Sequence, residues 1–497
     1  MVATSKDAHG RECVQSSHYA ITPDLAGGRS RRYRAPMPDT STPVTATAPS
    51  AGYARQLGLF SATMMVVGGI IGAGIFLNPA IVAQRVGTGP ATMATWGIGA
   101  LIAIVGAFVF SELGARAPRA GGSYVYLRDA FGPFPAFLYG WALFLMISTG
   151  AIAAVAMTCA NYAVAFFGIS ATLITPLAVA AIVLLTMVNI LGVTPGAITQ
   201  NVATVLKLAA IAFLVIVAFI APDLSAYAAD ATPLPTLAVP GSAWAWILAV
   251  GAALVPVLFA FGGWQQTNFI AEELRDPAKD LPRALVLGVL IVVACYLLVN
   301  LSYLRALGVT GLAASHAPAA DTVGALLGDR GRAVIGAGIM ISTFGFLNLV
   351  ILVTPRVYQA MAADGVFFSQ MATVDPRTRT PIAALVGQAV WAIVLLFSGS
   401  YGQLLDYVVF ADWVFFGATA ATLFVYRAKE SRGEVPHVSV RTWGHPVTTL
   451  LFLAAAAYVI AGSIASNPVN ALKGSVLLAL GWPAYSWWRR TSRAASR

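Results

Sequence analysis

The chain has 497 residues, of which 58% are hydrophobic and 10% are charged, and its formal net charge is +10. Soluble globular domains carry about 25% charged residues, so this chain cannot cover a soluble globule with polar surface. The composition therefore predicts an integral membrane protein. The positive charge does not indicate a nucleic-acid-binding protein, because the basic residues fall in particular loops and not on a basic domain.

The chain begins with a polar segment. Residues 1–53 are rich in Ser, Thr, Pro, Ala and Arg and contain no sustained apolar run. Such a segment buries too little apolar surface to offset its chain entropy, so we predict a disordered cytoplasmic tail. It is not a signal peptide, because no apolar core follows the early charges.

Twelve apolar stretches follow, each long enough to cross about 30 Å of hydrocarbon as a helix. They predict an all-α integral membrane domain over residues 54–490 and a short cytoplasmic tail over 491–497, since only helices satisfy their backbone polar groups within such a segment. The stretches lie at about 57–84, 91–113, 134–166, 173–193, 199–221, 243–272, 283–307, 333–362, 381–398, 403–427, 446–465 and 470–488.

The distribution of basic residues predicts the orientation. With twelve spans, 24 of the 30 Lys and Arg residues fall on the side of the two termini, five fall on the other side and one lies within a span. Cytoplasmic loops are enriched in Lys and Arg. We therefore predict a multi-pass protein of the cell (inner) membrane with both termini in the cytoplasm.

Two of the predicted spans contain helix-breaking residues near mid-membrane. The first span has four glycines within residues 68–74, and each costs a helix about 1 kcal/mol relative to Ala. The sixth span carries Pro256 and the pair Gly262-Gly263. One glycine cluster alone would indicate close helix packing. Two interrupted spans at corresponding places in two halves indicate the midplane site of a secondary transporter.

Such breaks supply the chemistry to bind a zwitterion. The start of a second half-helix offers free N–H groups and a positive dipole end, which suit a carboxylate. The end of the first half-helix offers free carbonyls, which suit an ammonium group. An α-amino acid carries both charges on one carbon, so it is the predicted ligand.

The motifs at these places resemble those of the amino acid–polyamine–organocation superfamily. Residues 69–76 resemble its first-helix signature, and residues 111–133 resemble its first cytoplasmic loop. Residues 259–264 and 272–284 resemble the sixth helix and following loop of the L-type amino acid transporter branch. The resemblance covers about 55–490 and implies a LeuT-like fold with alternating access. Repeat one would span 57–221, an inverted repeat two 243–427, and two extra helices 446–488, with helices 1 and 6 discontinuous.

The resemblance also implies a substrate site on the two breaks. The amides of residues 72–74 would bind the substrate carboxylate, and the carbonyls of Ile70, Phe259 and Ala260 would bind its amine. Ala73 stands where relatives often have Ser, but the backbone amide is the group that a carboxylate needs. The implied substrate-binding residues are Ile70, Gly72, Ala73, Gly74, Phe259, Ala260, Gly262 and Gln265.

Three of these positions bear on the gate and on specificity. Phe259 would form part of the gate over the substrate, and Gln265 would line the pocket. Some cation-accepting relatives have an acid at the place of Gly262, so the resemblance favours small neutral L-amino acids as substrates. Cationic amino acids or polyamines are the alternative.

Lys207 is the basic residue within a predicted span. A charged Lys at the bilayer centre costs about 2.5–3.5 kcal/mol and usually marks function, whereas near the interface it would extend to water. Similar transporters have a Lys here, where sodium-coupled cousins bind a cation between spans one and eight. We expect the Lys207 ammonium to replace that sodium, near first-helix carbonyls and Ser342 or Thr343, which makes transport sodium-independent.

Other polar residues carry weaker signals. Asp406 and Asp412 lie in the tenth span, and the deeper Asp412 is either a functional carboxylate or a hydrogen-bonded structural acid. A set of loop charges is expected to form ion pairs that latch the cytoplasmic side: Glu112, Arg119, Glu272, Glu273, Arg275 and Arg283.

The sequence predicts neither a cofactor nor a covalently attached partner chain. The five histidines lie in tails or loops, so neither a metal nor another cofactor is expected. Eukaryotic L-type transporters join a heavy chain through a cysteine after span three, but residues 167–172 contain none, so no disulfide-linked heavy chain is expected. We expect a monomer or a weak homo-oligomer in the lipid bilayer.

Three functional classes are possible for such a membrane protein: an enzyme, a sensor and a secondary transporter. An enzyme would need a polar catalytic constellation, and the sequence has no HExxH, His pair or activated Ser or Cys motif. A non-transporting amino acid sensor on the same fold stays an alternative. The paired helix breaks favour a secondary transporter, and exchange and proton symport both stay open.

Overall fold

The computed structural model describes residues 52–220, 237, 239–398, 401–466 and 468–495. The predicted disordered tail therefore lies, except for its last two residues, outside the described residues. The described chain is all-α, and its one bridge between extended residues pairs Leu57 with Leu274.

Seventeen α-helices follow one another in the described part. They are α1 (Leu59–Ile70), α2 (Gly74–Val86), α3 (Gly89–Arg116), α4 (Ser123–Phe131), α5 (Pro133–Ala142), α6 (Ser148–Phe167), α7 (Ile174–Ile190), α8 (Val193–Ile220), α9 (Ala243–Phe261), α10 (Pro277–Ala314), α11 (Pro318–Val353), α12 (Pro355–Ala363), α13 (Ile382–Ser398), α14 (Tyr401–Ser431), α15 (Val447–Ser466), α16 (Pro468–Ala479) and α17 (Gly481–Ala495). A π-helical turn at Leu143–Ile147 joins α5 to α6, and a 3₁₀ helix at Trp264–Glu273 follows α9.

The described helices include eight segments that are long and apolar enough to cross a membrane, or nine when the bent pair α1 and α2 counts as one span. The helix α13 is apolar but shorter. The chain is thus an all-helical membrane protein, as predicted, and the count of twelve spans stays a prediction. After α15 the chain forms two further helices and not one, and α17 continues into the predicted C-terminal tail.

Two of the long helices bend where a glycine leaves the helical conformation. Gly308 in α10 has φ 64°, and Gly328 in α11 has φ 59°. Such angles favour glycine, which has no Cβ to clash. The predicted span 283–307 therefore lies in α10 before its bend, whereas the predicted span 333–362 covers both α11 after its bend and most of the separate helix α12.

A chain of buried amides ties α7, α8 and α11 together. Asn348 donates to the Gly196 carbonyl (3.0 Å) and to Gln200 Oε1 (3.2 Å), and Asn189 donates to Asn348 Oδ1 (3.0 Å). Thr204 continues the chain by donating to the Met64 carbonyl of α1 (3.2 Å). Because unpaired polar groups are expensive in an apolar interior, this network fixes the position of α8 against α1.

Buried ion pairs close the end of the bundle at which α1 begins. Arg356 binds Glu273 at 2.7 Å, and both side chains are fully buried. Glu112 is also buried and binds Arg116 at 2.6 Å and Arg427 at 2.7 Å. Buried charges are tolerated only when they are paired and hydrogen-bonded, so these pairs hold the helix ends together.

Candidate functional site

The first apolar helix is interrupted at the glycine cluster. α1 ends at Ile70, α2 begins at Gly74, and the two axes differ by 42°. Ile71 between them has φ −76° and ψ 92°, which is an extended conformation. The first N–H groups of α2 have no helical acceptor, as at every helix start, so they are available to an anion.

One of the three backbone amides predicted to bind the substrate carboxylate already donates a hydrogen bond within the protein. The Gly72 amide donates to the Ile70 carbonyl over 2.9 Å. This short turn lies within the break, where regular helical bonds have stopped. The amides of Ala73 and Gly74, at the start of α2, are therefore the better donors to a carboxylate.

The second break lies between α9 and the 3₁₀ helix. Gly262 is extended, with φ −65° and ψ 158°, and Gly263 has φ 115°. The Gly263 amide donates to Gln265 Oε1 over 3.1 Å, so this side chain stabilises the break from within. A Cβ added to Gly263 would lie 2.7 Å from the carbonyl carbon of Gly69 and closer still to its oxygen. The two breaks therefore touch, backbone against backbone.

Pro256 explains how the half-helix α2 is tied to α9. Proline has no N–H, so the Ala252 carbonyl one turn earlier loses its helical donor. The guanidinium of Arg85, at the end of α2, donates to that carbonyl. Asn78 of α2 also donates to the Pro256 carbonyl over 2.7 Å. Asn78 and Arg85 of α2 thus both bind the backbone around the proline.

Replacing Arg85 by alanine is expected to destabilise the protein by about 1–2 kcal/mol, because the Ala252 carbonyl loses a charged donor. In a Pro256→Ala background the same replacement should cost much less, since the restored N–H at position 256 satisfies that carbonyl. Thermal unfolding of the wild type, both single variants and the double variant measures the coupling. Equal costs in the two backgrounds would contradict the proposed role of Arg85.

Tyr296 of α10 connects the two breaks and was not predicted from the sequence. Its hydroxyl lies 3.0 Å from the Ile70 carbonyl and 3.0 Å from the Ala260 carbonyl. One hydroxyl proton can serve one of these carbonyls at a time, so the other keeps an acceptor site free. A buried Tyr needs a partner for its hydroxyl, which was the available sequence signal, but the sequence does not say which partner.

A cavity of about 300 Å³ opens between the two breaks. All eight predicted substrate-binding residues line it. Phe259 is 44% exposed, as a residue facing a cavity would be, whereas Gln265 is almost buried. The Gln266 Oε1 atom, also on this wall, has no hydrogen-bond partner among the described residues. Asn78, which follows the first glycine cluster in the sequence, also lines the cavity, together with residues that the sequence did not predict there: Tyr139, Ser148, Gln266, Trp413 and Phe416.

The ammonium of Lys207 lies directly behind the first break. It donates to the Gly68 carbonyl over 3.1 Å and to the Ile71 carbonyl over 2.6 Å, and the side chain is fully buried. Ser342 donates to the same Ile71 carbonyl over 3.4 Å. Thr343 does not join this group, because its hydroxyl bonds to Ile339 and Met340 of its own helix.

Of the two aspartates in the predicted tenth span, one can be placed at the cavity. Asp412 lines the cavity, whereas the side chain of Asp406 lies outside the described residues. Within the described part of the chain no three His, Cys, Asp or Glu side chains cluster closely enough to hold a metal ion.

The sequence is similar to known membrane proteins along most of its length. A family model described as amino acid permease matches residues 57–482. The b(0,+)-type amino acid transporter 1 of Homo sapiens is 31% identical over 391 residues, which cover 77% of this chain and 78% of that protein. The large neutral amino acids transporter small subunit 2 of Mus musculus is 31% identical over 477 residues, covering 92% and 86%. The serine/threonine exchanger SteT of Bacillus subtilis (strain 168) is 28% identical over 437 residues, covering 87% and 97%.

Proposed function

Because this chain belongs to the amino acid permease family, in the amino acid–polyamine–organocation superfamily, and is an amino acid transporter and not an enzyme, we propose that it carries small neutral L-amino acids across the cell membrane by alternating access. The observation that supports this substrate is the meeting of two broken helices at one cavity. Their free backbone groups suit both charges of a zwitterion.

The bound amino acid would lie across the two breaks. Its carboxylate accepts hydrogen bonds from the amides of Ala73 and Gly74, where the positive end of α2 adds to the attraction. Its ammonium donates to the Phe259 carbonyl and to whichever of Ile70 and Ala260 the Tyr296 hydroxyl leaves free. Phe259 then covers the substrate as part of the gate.

The pocket around the substrate side chain favours small neutral groups. Gly262 contributes no charge and lies on the cavity wall, and much of the remaining wall is aliphatic. The names of two relatives refer to large neutral amino acids and to serine and threonine. Neutral side chains are common to both.

Lys207 supports sodium-independent transport. Its ammonium already binds two carbonyls of the first break, so the positive charge that a sodium ion would bring there is supplied by the protein. Exchange of sodium for choline at constant pH should therefore leave the uptake rate within about twofold of its value in sodium. A rate that collapses in choline would overturn this part of the proposal.

The architecture that fits this mechanism is a LeuT-like bundle of twelve spans with both termini in the cytoplasm. The inverted repeats would place the first break in repeat one and the second in repeat two. On this orientation the Arg356–Glu273 and Glu112 ion pairs close the cytoplasmic side. The loop between α6 and α7 has no cysteine, so the transporter would work without a disulfide-linked heavy chain.

Counterflow in proteoliposomes tests the proposed transport. Vesicles loaded with unlabelled alanine should transiently accumulate external labelled alanine, because an alternating-access carrier exchanges the two. An amino acid sensor on the same fold would bind alanine and raise its melting temperature but show no accumulation. Lysine, arginine or a polyamine that outcompetes alanine in this assay would refute the neutral specificity.

A further inference from the structure

One ionisable side chain on the cavity wall has no part in the proposed binding of the zwitterion. Asp412 lies in α14, next to Trp413 and one turn before Phe416, and all three line the cavity. Among the described residues that line the cavity, Asp412 is the one with a carboxylate, and none has a basic side chain. Tyr139 lies on the same cavity wall.

No basic side chain of the described residues pairs with Asp412. The helix α14 packs against α3, α4, α6, α13, α15 and α16 and against the turn Leu143–Ile147. The turn and α13 have no titratable side chain. The charges of α3 lie in its last turn, where Glu112 binds Arg116. Arg128 of α4 binds Asp364.

The other neighbours of α14 do not neutralise the carboxylate either. Lys473 of α16 is exposed, and Tyr458 of α15 is 40% exposed. The Cys159 thiol of α6 donates to the Met340 carbonyl. Lys207 is the buried lysine of the described residues; its ammonium binds the first break, and its side chain does not line the cavity.

An unpaired carboxylate is tolerable while the cavity contains water, but not when it closes. A zwitterionic substrate adds no net charge, so the closed cavity would keep one uncompensated negative charge at membrane depth. Alternating access requires such a closed state in every cycle. A positively charged species must therefore enter the cavity with the substrate and neutralise the carboxylate.

We propose, on the basis of the proposed function, that Asp412 binds one proton from bulk water on the side where the cavity is open, and releases it to water on the opposite side together with the neutral amino acid. The protein is then a proton–amino acid symporter. Protonation converts the carboxylate to a neutral hydroxyl-bearing group, so the loaded cavity closes without a net charge.

A proton suits this wall better than a cationic substrate side chain. An ammonium group carries three donors and a guanidinium five, and each donor needs an acceptor when water is excluded. The neighbours of Asp412 on α14 are Trp413 and Phe416, which provide no oxygen acceptor. A protonated carboxyl carries a single O–H donor, so it needs one acceptor, where an ammonium needs three and a guanidinium five.

Proton movement can be measured directly. Proteoliposomes containing a trapped pH-sensitive dye are mixed with external alanine, and we expect the lumen of wild-type vesicles to acidify as alanine enters. With coupling of one proton to one alanine, an inward gradient of about one pH unit should produce about tenfold accumulation. Asp412→Asn should lose both effects, and Asp412→Glu should recover the acidification. Asp329→Asn, at an exposed position, is the matched control and should behave as the wild type.

Each other outcome overturns the inference. Alanine-driven acidification that persists in Asp412→Asn assigns the proton to another group. Labelled lysine that enters wild-type vesicles without acidification assigns the carboxylate to a cationic side chain. Counterflow separates this failure from that of the proposed function: wild-type vesicles that exchange alanine but never acidify refute the proton alone, and wild-type vesicles without counterflow refute transport itself. These wild-type measurements test proton coupling and transport separately even if the Asp412→Asn variant does not fold.

Discussion

Replacing Lys207 by methionine is expected to lower the initial rate of alanine exchange about a hundredfold. The ammonium donates to the carbonyls of Gly68 and Ile71, and a hydrogen bond to a charged group contributes about 1.5–3 kcal/mol. Two such bonds amount to about 3 kcal/mol or more, which changes an equilibrium constant about a hundredfold. Methionine fills a similar volume but donates nothing, so the unwound carbonyls lose the cation that orders them.

The matched control for this variant is Lys279→Met. Lys279 is 69% exposed and its ion pair among the described residues is with Asp276 one turn away, so its replacement should change the exchange rate by less than about twofold. The measurement is labelled alanine exchange in proteoliposomes with equal amounts of monodisperse protein. A Lys207→Met variant that exchanges at the wild-type rate would show that this ammonium has no role in transport.

The sequence was most informative where a residue type has one dominant physical effect. Glycines and a proline do not support regular helices, so the breaks were expected near Gly68–Gly74 and Gly262, and the helices do end at Ile70 and at Phe261. The all-helical class, the family and the absence of an enzymatic function were confirmed. The helical class follows from composition and local pattern, and the family from the resemblance of the motifs at the two breaks and in the adjoining loops.

What the sequence could not supply depends on contacts between distant helices. Tyr296 and Lys207 are both polar residues in apolar segments, yet the carbonyls that they bind are 226 and about 136 positions away. Ser342 or Thr343 was expected near the first break, and the sequence did not decide between them, because consecutive residues point to different sides of a helix. Thr343 therefore bonds within α11, whereas Ser342 faces Ile71.

The hydrogen bond from the Gly72 amide to the Ile70 carbonyl could not be predicted from the sequence pattern either. A glycine-rich stretch predicts that helical bonds stop, but not which irregular bonds replace them. The same limit applies to Arg85, whose basic side chain marks a helix end and whose acceptor exists because Pro256 lies four residues after Ala252. The proline in α9 thus explains why Arg85 of α2 binds a backbone carbonyl of α9.

Gly263→Ala is expected to weaken alanine binding about a hundredfold, because this residue sets the distance between the two breaks. Its φ of 115° is unfavourable for any residue with a Cβ, at about 1–3 kcal/mol. The added Cβ would also overlap the backbone of Gly69, which cannot rotate away as a side chain could. The two broken helices must then separate, so the donors at Ala73 and Gly74 no longer face the acceptors on α9.

Thermal shift against an alanine series measures this loss, since a ligand that binds the folded protein raises its melting temperature with concentration. Gly97→Ala is the control: this glycine lies in α3 with open space around its Cβ position, and alanine there should be neutral or stabilising by up to about 1 kcal/mol. Gly262→Ala should show a smaller loss than Gly263→Ala, because its φ of −65° is ordinary and its Cβ would meet Phe259 O at 3.3 Å. Equal affinities in Gly263→Ala and the wild type would mean that the contact between the breaks does not position the substrate, and the zwitterion would then bind elsewhere in the cavity.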